Sequence, residues 1–568
     1  MADEGQVIRG IDWRNAFSFT HIFRSFRIAI HLSKLALGLA LLLTVYFGGK
    51  IMDAAWPARA RAVPGEIGEY QRIADGSDQG NLGLWRAQAR HDVEESYAQL
   101  LMDDGIITPN QGESNDAYHA RLLDEAGKSH YLRDVRRKID DHRDDIVAKL
   151  KSQYEIDVNS AKSGEEAAAL KRTRDAAIAD AYASDRSDWS TAREIEGEGL
   201  FNTLFQYEIF QITGIVKDGV FRNNWLDTGG VKDHVYNFFA VGPIWLIWNH
   251  TVFFVIFALI FLLAWALFGG AICRIAAIHF ARDEKISVRQ AMNFAVGKLL
   301  SFASAPVIPL AIVTVIGLII SLAALIGNIP LVGPIVVGAL FILPLLAGFV
   351  MTLVLLGTAG GFGLMYPTIA VEGSDSFDAI SRSFSYVYAR PWRMLFYTIV
   401  ALAYGAATYL FVHMFIWLAL VLTHHFVGMG IFVTADNSKD LLSTMWPNPV
   451  DTGRLSYTTD YQSLAFGQKI GALCMNCWVM FMVSFLGAFA ISLYFSANTI
   501  VYYLMRNEVD STELDDVYLE QSEEDSDPAM GAVSVTVTTE TTETTILPES
   551  TPADSQPDVA PPSSQPSA

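Results

Sequence analysis

Charged residues are absent from the longest apolar stretch of the chain. The 568-residue sequence has no Asp, Glu, Lys or Arg between Lys298 and Glu372. A helix needs about 20 apolar residues to cross the hydrocarbon core of a bilayer, so this stretch is long enough for two crossings. A turn separates them, because Gly327, Pro330 and Pro334 cluster near the middle. We therefore predict a transmembrane helical hairpin here.

Cysteine and positive charge are also scarce. The sequence has 3 cysteines and a formal net charge of −20. So few cysteines exclude a disulfide framework, and the block 53–233 contains none. The negative charge argues against nucleic acid as a partner, because nucleic-acid binding requires a basic face. The acidic residues concentrate in the segments outside the apolar runs, where they favour solubility.

Apolar runs predict an all-α membrane protein with about six transmembrane helices. A cytoplasmic amphipathic segment, 1–34, precedes the first span at 35–52. A multi-span membrane domain, 241–502, contains the other five, at about 244–268, 303–325, 335–360, 394–422 and 470–494. Trp245 and Trp248 would form an interfacial belt at the second span. Cleavage after the first span stays open, because Ala58-Arg59-Ala60 resembles a small-residue cleavage site.

Basic loops predict the orientation of these spans. One basic cluster follows the second span and another precedes the fifth: Arg274, Arg282, Lys285, Arg289 and Lys298, then Arg382, Arg390 and Arg393. The positive-inside rule places both loops in the cytoplasm. We therefore expect both termini to be cytoplasmic, in a multi-pass protein of the bacterial cytoplasmic (inner) membrane.

Residues 53–240 predict an extracytoplasmic helical domain. Apolar residues recur every three or four positions from Leu132 to Leu150, and a break at 159–164 follows. Ser163 and Glu166 have the spacing of a capping box for a second helix. This pattern predicts an antiparallel helical hairpin, either a partner-binding coiled coil or a solvated hairpin with a narrow apolar seam. The apolar stretch 200–220 would lie on the membrane or pack against the spans.

The C-terminal segment 503–568 differs from the rest in composition. From Asn507 onward it has no Lys or Arg, and it passes from an acidic patch through a Thr/Glu run to Pro and Ser. Such a segment cannot bury enough apolar area to fold. We predict a disordered, acidic cytoplasmic tail.

Two segments share an amphipathic pattern that leads into a span, Ser287–Phe302 and Ser376–Leu395. With these segments, residues 269–501 resemble uncharacterised bacterial multi-pass membrane proteins of the glycerophosphoryl diester phosphodiesterase membrane-domain type. The resemblance implies a fold with short in-plane helices before spans. The catalytic domain that gives the group its name has no counterpart in this sequence, and the block 53–240 is an insertion relative to that pattern.

The second of these segments has a definite apolar face. Phe377, Ile380, Phe384 and Val387 are spaced by three or four residues and would face lipid or the helix bundle. Ser383 lies off this face, so we expect Ser383→Asp to be nearly silent.

A few residues could carry chemistry. Cys474 and Cys477 have CxxC spacing, and His424 and His425 would lie at the same side of the membrane. Two thiolates and two imidazoles suffice for zinc or copper, but chance pairing of small and polar residues in membrane helices is the simpler interpretation. Gly357 and Gly361 match a GxxxG helix-packing pattern rather than a phosphate loop.

These observations favour a non-enzymatic protein with no catalytic, cofactor or metal residues. The predicted spans hold no carboxylate, and His413 is their one interior titratable group. Ion-coupled transporters place ionisable groups inside the membrane. We therefore expect a scaffold or accessory subunit that organises the bilayer or a partner complex through the 53–240 domain. A transporter or channel component is the alternative, and a membrane-bound enzyme is the third.

Overall fold

The computed structural model is helical throughout the residues that it describes. These are residues 17–519 except 58–59, 75–80, 104–106, 129–131, 161–162, 197–198, 432–439, 453–454, 456, 458, 460–463 and 465. Residues 1–16 of the predicted N-terminal segment and residues 520–568 of the predicted tail therefore lie outside the described part. Within that part no strand is present, so the predicted all-α class is confirmed.

The helices are numbered in chain order. They are α1 Arg24–Ala29, α2 Leu32–Ala55, α3 Glu66–Ala74, α4 Leu82–Asp103, α5 Asn115–Lys128, α6 Leu132–Ser160, α7 Gly164–Glu196, α8 Leu200–Val216, α9 Val231–Tyr236, α10 Gly242–Asn249, α11 Thr251–Ala264, α12 Gly270–Arg282, α13 Val288–Gly297, α14 Leu299–Ala324, α15 Val332–Ala339, α16 Ile342–Glu372, α17 Ser376–Ala389, α18 Pro391–Gly430, α19 Leu441–Met445, α20 Pro449–Thr452 and α21 Phe466–Asp510. π turns at Lys217–Phe221, Asn237–Val241 and Trp265–Gly269 continue α8, α9 and α11.

Among the described residues, six helices are long and apolar enough to cross a membrane, which agrees with the prediction of about six. In order they are Leu32–Ala55, Thr251–Arg282, Leu299–Asn328, Ile342–Glu372, Pro391–Gly430 and Gly467–Asp510. Several extend beyond the predicted spans, because polar residues at either side of an apolar run continue the same helix. The second spanning helix instead begins later than its predicted span, which starts at 244. His250, with φ −136° and ψ 47°, breaks the helix, so the spanning helix begins at Thr251.

Polar contacts define one end of this bundle. Lys34 at the start of the first spanning helix meets His279 near the end of the second. Glu372 at the end of the fourth meets Arg506 near the end of the sixth. We call this the Glu372 end. The chain direction puts Ala55 and Thr251 at the opposite end, which we call the Glu66 end.

The first and sixth spanning helices are in close contact. A Cβ added at Gly38 would lie 2.7 Å from the carbonyl oxygen of Ala488, so only glycine permits this approach. The sixth helix also packs on α12, α16 and α18. It is accordingly the most enclosed, with 44% of its most apolar window buried. The bundle core therefore forms around it.

The most apolar parts of the third and fourth spanning helices, next to the turn that joins them, stand apart from that core. None of the most apolar window of the third helix is buried, and only 6% of that of the fourth. Along most of their length the two helices contact each other and expose large apolar side chains. In a membrane, lipid would cover this surface. The hairpin predicted from the uncharged stretch is present, with its turn at Leu325–Asn328 and α15.

Helix α17 packs against this hairpin. Ile380, Phe384 and Val387 of the predicted face do contact the bundle, but the most deeply buried positions lie beside that face. These positions are Ser376, Ala379, Ser383 and Tyr386, while Phe377 is 68% exposed. Ser383 is fully buried because it contacts Gly361, where an added Cβ would lie 3.2 Å from the serine Cβ. Gly357 likewise contacts Phe384, so the GxxxG pair does mediate close helix packing. The expectation that Ser383→Asp is nearly silent is therefore wrong.

The first residues of the predicted tail 503–568 contact the bundle. Helix α21 continues to Asp510, and Arg506, 7% exposed, pairs with Asp516 at 2.6 Å. The backbone N–H of Tyr518 then donates to the carbonyl of Val371 at 2.8 Å. Residues 503–518 thus belong to the Glu372 end of the bundle.

Outside the spanning helices, α3–α7 build a separate helical region, which we call the outer region because it lies outside the bundle. Helices α6 and α7 form the antiparallel hairpin, and Ser163 Oγ accepts from the Glu166 N–H at 3.2 Å, as the capping pattern predicts. Ile139 and Val147 are buried in this region. Helix α7 also packs on α4, α4 on α3, and α3 on α8 and α10. The region therefore joins the bundle through α3, α8 and α10.

Ser383 provides a stability test of the α16–α17 contact. Ser383→Asp places a carboxylate in a buried, unpaired position, which should cost about 3 kcal/mol or more of folding free energy. The matched control is Ser385→Asp on the exposed face of the same helix, which should change stability by less than about 0.5 kcal/mol. Thermal melts of the purified protein in detergent measure both. Equal melting temperatures would contradict the packing described.

Candidate functional site: a carboxylate junction at the Glu66 end

Asp53 lies in the last turn of the first spanning helix and is 8% exposed. Its Oδ1 accepts from the Phe201 N–H at 2.8 Å and its Oδ2 from the Asn202 N–H at 2.9 Å. The first N–H groups of a helix have no partner within the helix, and its N-terminus favours negative charge. Asp53 therefore caps α8 from 148 residues away in the sequence.

Three further groups fix this cap in place. Lys50 Nζ donates to the side-chain oxygen of Asn202, and Arg61 donates to the Asp53 carbonyl at 3.2 Å. At Gly199 an added Cβ would lie 2.3 Å from the Asp53 carboxyl carbon, so a side chain there would displace the carboxylate. The first spanning helix and α8 are thus held together by a cap in which both carboxylate oxygens accept from the protein's own N–H groups.

Glu66 lies in the first turn of α3 and is fully buried. Its carboxylate makes a second set of contacts between helices. Its Oε2 accepts from the Val63 N–H at 3.0 Å. Its Oε1 meets Arg86 at 2.5 Å, His250 Nε2 at 3.0 Å and Trp245 Nε1 at 3.2 Å. One carboxylate therefore joins α3, α4 and α10 to the residue where the second spanning helix begins.

The protonation state of Glu66 follows from these donors. Burial by itself would raise the pKa of this carboxyl, but the His250 hydrogen bond, the Val63 N–H and the Arg86 charge lower it to about 2. Glu66 is therefore ionised across the physiological range. Because the carboxylate can only accept, the His250 ring donates its proton from Nε2.

Glu208 on α8 has the opposite environment. Both carboxyl oxygens are buried and neither has a hydrogen-bond partner among the described residues. Gly242 makes room for it, since an added Cβ there would lie 2.0 Å from Glu208 Oε1. Burial raises the pKa of Glu208 to about 8, so the side chain is largely protonated at neutral pH. The junction therefore contains one carboxyl held charged and one held neutral.

A third polar contact set attaches α9 to α8. The His234 ring lies between Gln211 Oε1, 2.7 Å from Nδ1, and Asp218 Oδ2, 3.1 Å from Nε2. Arg222 also pairs with Asp218 at 3.3 Å. Both neighbours of the ring are acceptors as placed, so the imidazole donates to both when charged, or the Gln211 amide reverses when it is neutral.

The Glu372 end has its own buried ionisable group. Lys34 is fully buried, and its Nζ lies 3.5 Å from His279 Nδ1. His279 Nε2 lies 3.5 Å from Asp283, which meets Arg27 at 3.3 Å. The prediction that His413 is the one titratable group inside the spans is therefore wrong, since the first spanning helix carries both Lys34 and Asp53.

The predicted span 35–52 ends one residue short of Lys34 and of Asp53, so the apolar run by itself does not include them. A hydropathy pattern marks where apolar residues stop, but it does not show whether the next charged residue turns inward. The available signal was position, because Lys34 and Asp53 directly bound the apolar run. Glu66, Glu208 and His250 had no such signal, since their partners are distant in sequence.

The CxxC and histidine pair do not form a site in the structure. Cys474 and Cys477 are exposed free thiols. His424 is buried and its Nε2 lies 3.0 Å from the Trp446 carbonyl oxygen, while His425 packs on Phe426. Across the described part of the chain, no three His, Cys, Asp or Glu side chains converge in a way that could hold a metal ion.

Comparison of the chain with protein-family models, with curated proteins and with solved structures finds no match in any of the three. Function must therefore be inferred from the geometry. The carboxylate oxygens of Asp53 and Glu66 accept hydrogen bonds from the protein's own donors, so the junction connects parts of the same protein. Its chemistry is that of a fastening between a membrane bundle and an outer helical region.

Glu208 gives this junction a characteristic pH dependence. Its pKa is raised from 4.5 to about 8 in the folded protein, so the folded state binds a proton that the unfolded state releases. Its contribution to stability is therefore present below pH 4.5 and is lost as the pH rises towards 8. Glu208→Gln should remove this loss, so its melting temperature should rise relative to wild type over that interval and then level off.

Thermal melts in detergent at a series of pH values measure the difference between the two proteins. Glu155→Gln, on the exposed surface of α6, is the matched control and should give a constant difference. A constant difference for Glu208→Gln as well would show that this carboxyl is solvated.

Proposed function

We propose that the protein is a non-enzymatic membrane scaffold or accessory subunit, which holds its outer helical region in a fixed position for a partner protein. The observation that carries this proposal is the junction of Asp53 and Glu66. Breaking one partner of a buried ion pair typically costs about 3–5 kcal/mol, so such contacts resist independent motion of the parts they join. A rigid attachment would hold the outer region in one orientation for a partner protein.

The α6–α7 hairpin is the surface we assign to the partner. Its helices have 29 and 33 residues, which at 1.5 Å per residue extend about 44 Å and about 50 Å. Intrahelical ion pairs cover its surface, such as Arg143 with Asp140 and Lys149 with Asp145. Ile156 is 64% exposed and Tyr182 42%. Because charges across an interface are arranged to be complementary, we expect a helical partner of mixed charge.

We infer the orientation from the basic loops. Arg282, Lys285 and Arg393 all lie at the Glu372 end, and the positive-inside rule supports a cytoplasmic location for that end. The outer region then faces the extracytoplasmic side of a bacterial cytoplasmic membrane. The proposed relation to the phosphodiesterase membrane-domain group, over residues 269–501, concerns the anchoring part alone.

Lys34 supports transport as a second candidate function. A buried lysine in a spanning helix is costly, and such residues often mark ion or substrate pathways. The contacts from Lys34 through His279 to Asp283 link the bundle interior to the surface. Flux of protons or solutes into liposomes containing the purified protein, reduced by Lys34→Met, would favour this candidate over the scaffold.

Site-specific photocrosslinking in cells tests the scaffold proposal. A photoreactive amino acid replaces, one at a time, exposed residues of the hairpin such as Ser152, Ile156 and Tyr182. We expect the same partner protein to be captured from positions three or four residues apart, because one face of a helix is in contact. Val147, buried in the hairpin, is the control and should give no crosslink to another protein.

The captured partner is then purified and mixed with the reconstituted protein. Binding that is lost on replacing the same hairpin face, with the bundle unchanged, supports the scaffold function. Absence of crosslinks at every exposed hairpin position would contradict it.

A further inference from the structure

Residues 231–249 form one helical rod beside the Glu66 end. Helix α9, the π turn Asn237–Val241 and α10 follow without interruption, and His250 ends the rod. Lys232 is exposed near the start of the rod. The exposed large side chains that follow it are apolar or aromatic: Val235 (38%), Tyr236 (55%), Phe239 (73%), Ile244 (38%) and Trp248 (78%).

The π turn keeps these residues on one face. Steps of three or four residues separate neighbours on a helix face, whereas Phe239 and Ile244 are five apart. A π turn adds one residue to a helical turn, so the longer step crosses it without leaving the face. Trp248 follows Ile244 by four. An exposed apolar stripe therefore runs the length of the rod.

The opposite face of the rod carries the polar contacts. His234 bonds to Gln211 and Asp218, Asn237 is 6% exposed, and Trp245 is fully buried with its Nε1 on Glu66. A surface helix in water has the reverse arrangement, with polar residues outward. Trp245 also corrects the sequence prediction, because it faces the protein and is not part of an interfacial belt. Trp248 is the outward residue.

The stripe is followed by the exposed apolar surface of the second spanning helix. After the break at His250, the second spanning helix exposes Val252 (66%), Val255 (59%) and Leu259 (57%). Before the N-terminal end of the rod, Trp225 is 56% exposed and Leu226 is 78% exposed. The side chains of Arg222 and Lys232 nearby are 62% and 59% exposed. Exposed aromatic, aliphatic and basic side chains close together are typical of a bilayer interface.

We propose that the rod 231–249 is a lipid-contacting helix, embedded in the headgroup–acyl boundary through Tyr236, Phe239 and Trp248. Its occupant is the bilayer, because the stripe is continuous with the exposed apolar surface of the second spanning helix. The polar contacts on the other face fix the rod to α8 and to Glu66. The junction that carries the outer region is thus also attached to the membrane surface. This inference does not depend on the scaffold function.

Fluorescence quenching by brominated lipid tests the proposal on the full-length protein. Wild type and Trp248→Phe are reconstituted in vesicles of phosphatidylcholine that carries bromine at carbons 6 and 7 of one acyl chain, and in unbrominated vesicles. The emission of Trp248 is the difference between the two proteins. We expect bromine to reduce this difference signal by about twofold or more, because a shallow lipid-exposed indole lies close to the bromine atoms.

A gain-of-signal variant and a control complete the experiment. Phe239→Trp in the Trp248→Phe protein should restore a quenched emission of similar size. The difference signal of Trp85→Phe, from the outer helix α4, should be unaffected by bromine. Emission from position 248 or 239 that bromine does not quench would overturn the proposal, and it would indicate that a second copy or another protein covers the stripe.

Discussion

The arrangement depends on a carboxylate that is buried and fully bonded where the first spanning helix ends. A charged group removed from water must recover its solvation from protein donors, because leaving it unpaired costs several kcal/mol. Asp53 recovers it from two backbone N–H groups of α8. The chain from Asp53 to α8 includes the whole outer region, so it must return to the end of the first spanning helix. Glu66 adds a second condition of the same kind at α3, α4 and α10.

Because Asp53 and Glu66 both require protein donors, the Glu66 end consists of packed helices rather than of simple loops. With α8 capped by Asp53, its polar face is available to bind α9 through His234, and Gly242 of α10 can approach Glu208. Helix 231–249 is then fixed with its apolar stripe outward. The Glu372 end is closed by separate ion pairs, Glu372 with Arg506 and Arg506 with Asp516, which bring residues 503–518 into the bundle.

Much of the fold could be predicted from local pattern alone. The missing charges between Lys298 and Glu372, the period of the α6 helix and the Ser163 cap are all properties of neighbouring residues, and each predicted a helix or a turn that the structure contains. The junction could not be predicted. Asp53 and Phe201, or Glu66 and His250, are far apart in sequence, and a carboxylate has no periodic signature. Ser383 illustrates the same limit, since a serine is buried only because Gly361 is opposite.

We propose that the junction holds the outer region rigidly on the bundle. Pulsed spin-label spectroscopy between Ser152→Cys on α6 and Thr423→Cys on the fifth spanning helix measures this, with Cys474 and Cys477 replaced by serine. We predict a narrow distance distribution, broadened about twofold or more by Asp53→Asn combined with Glu66→Gln, because the fastenings then lose their charge. Asp175→Asn, on the exposed surface of α7, should leave the distribution unchanged. A broad distribution in the parent protein, or one that the double substitution does not alter, would contradict the account.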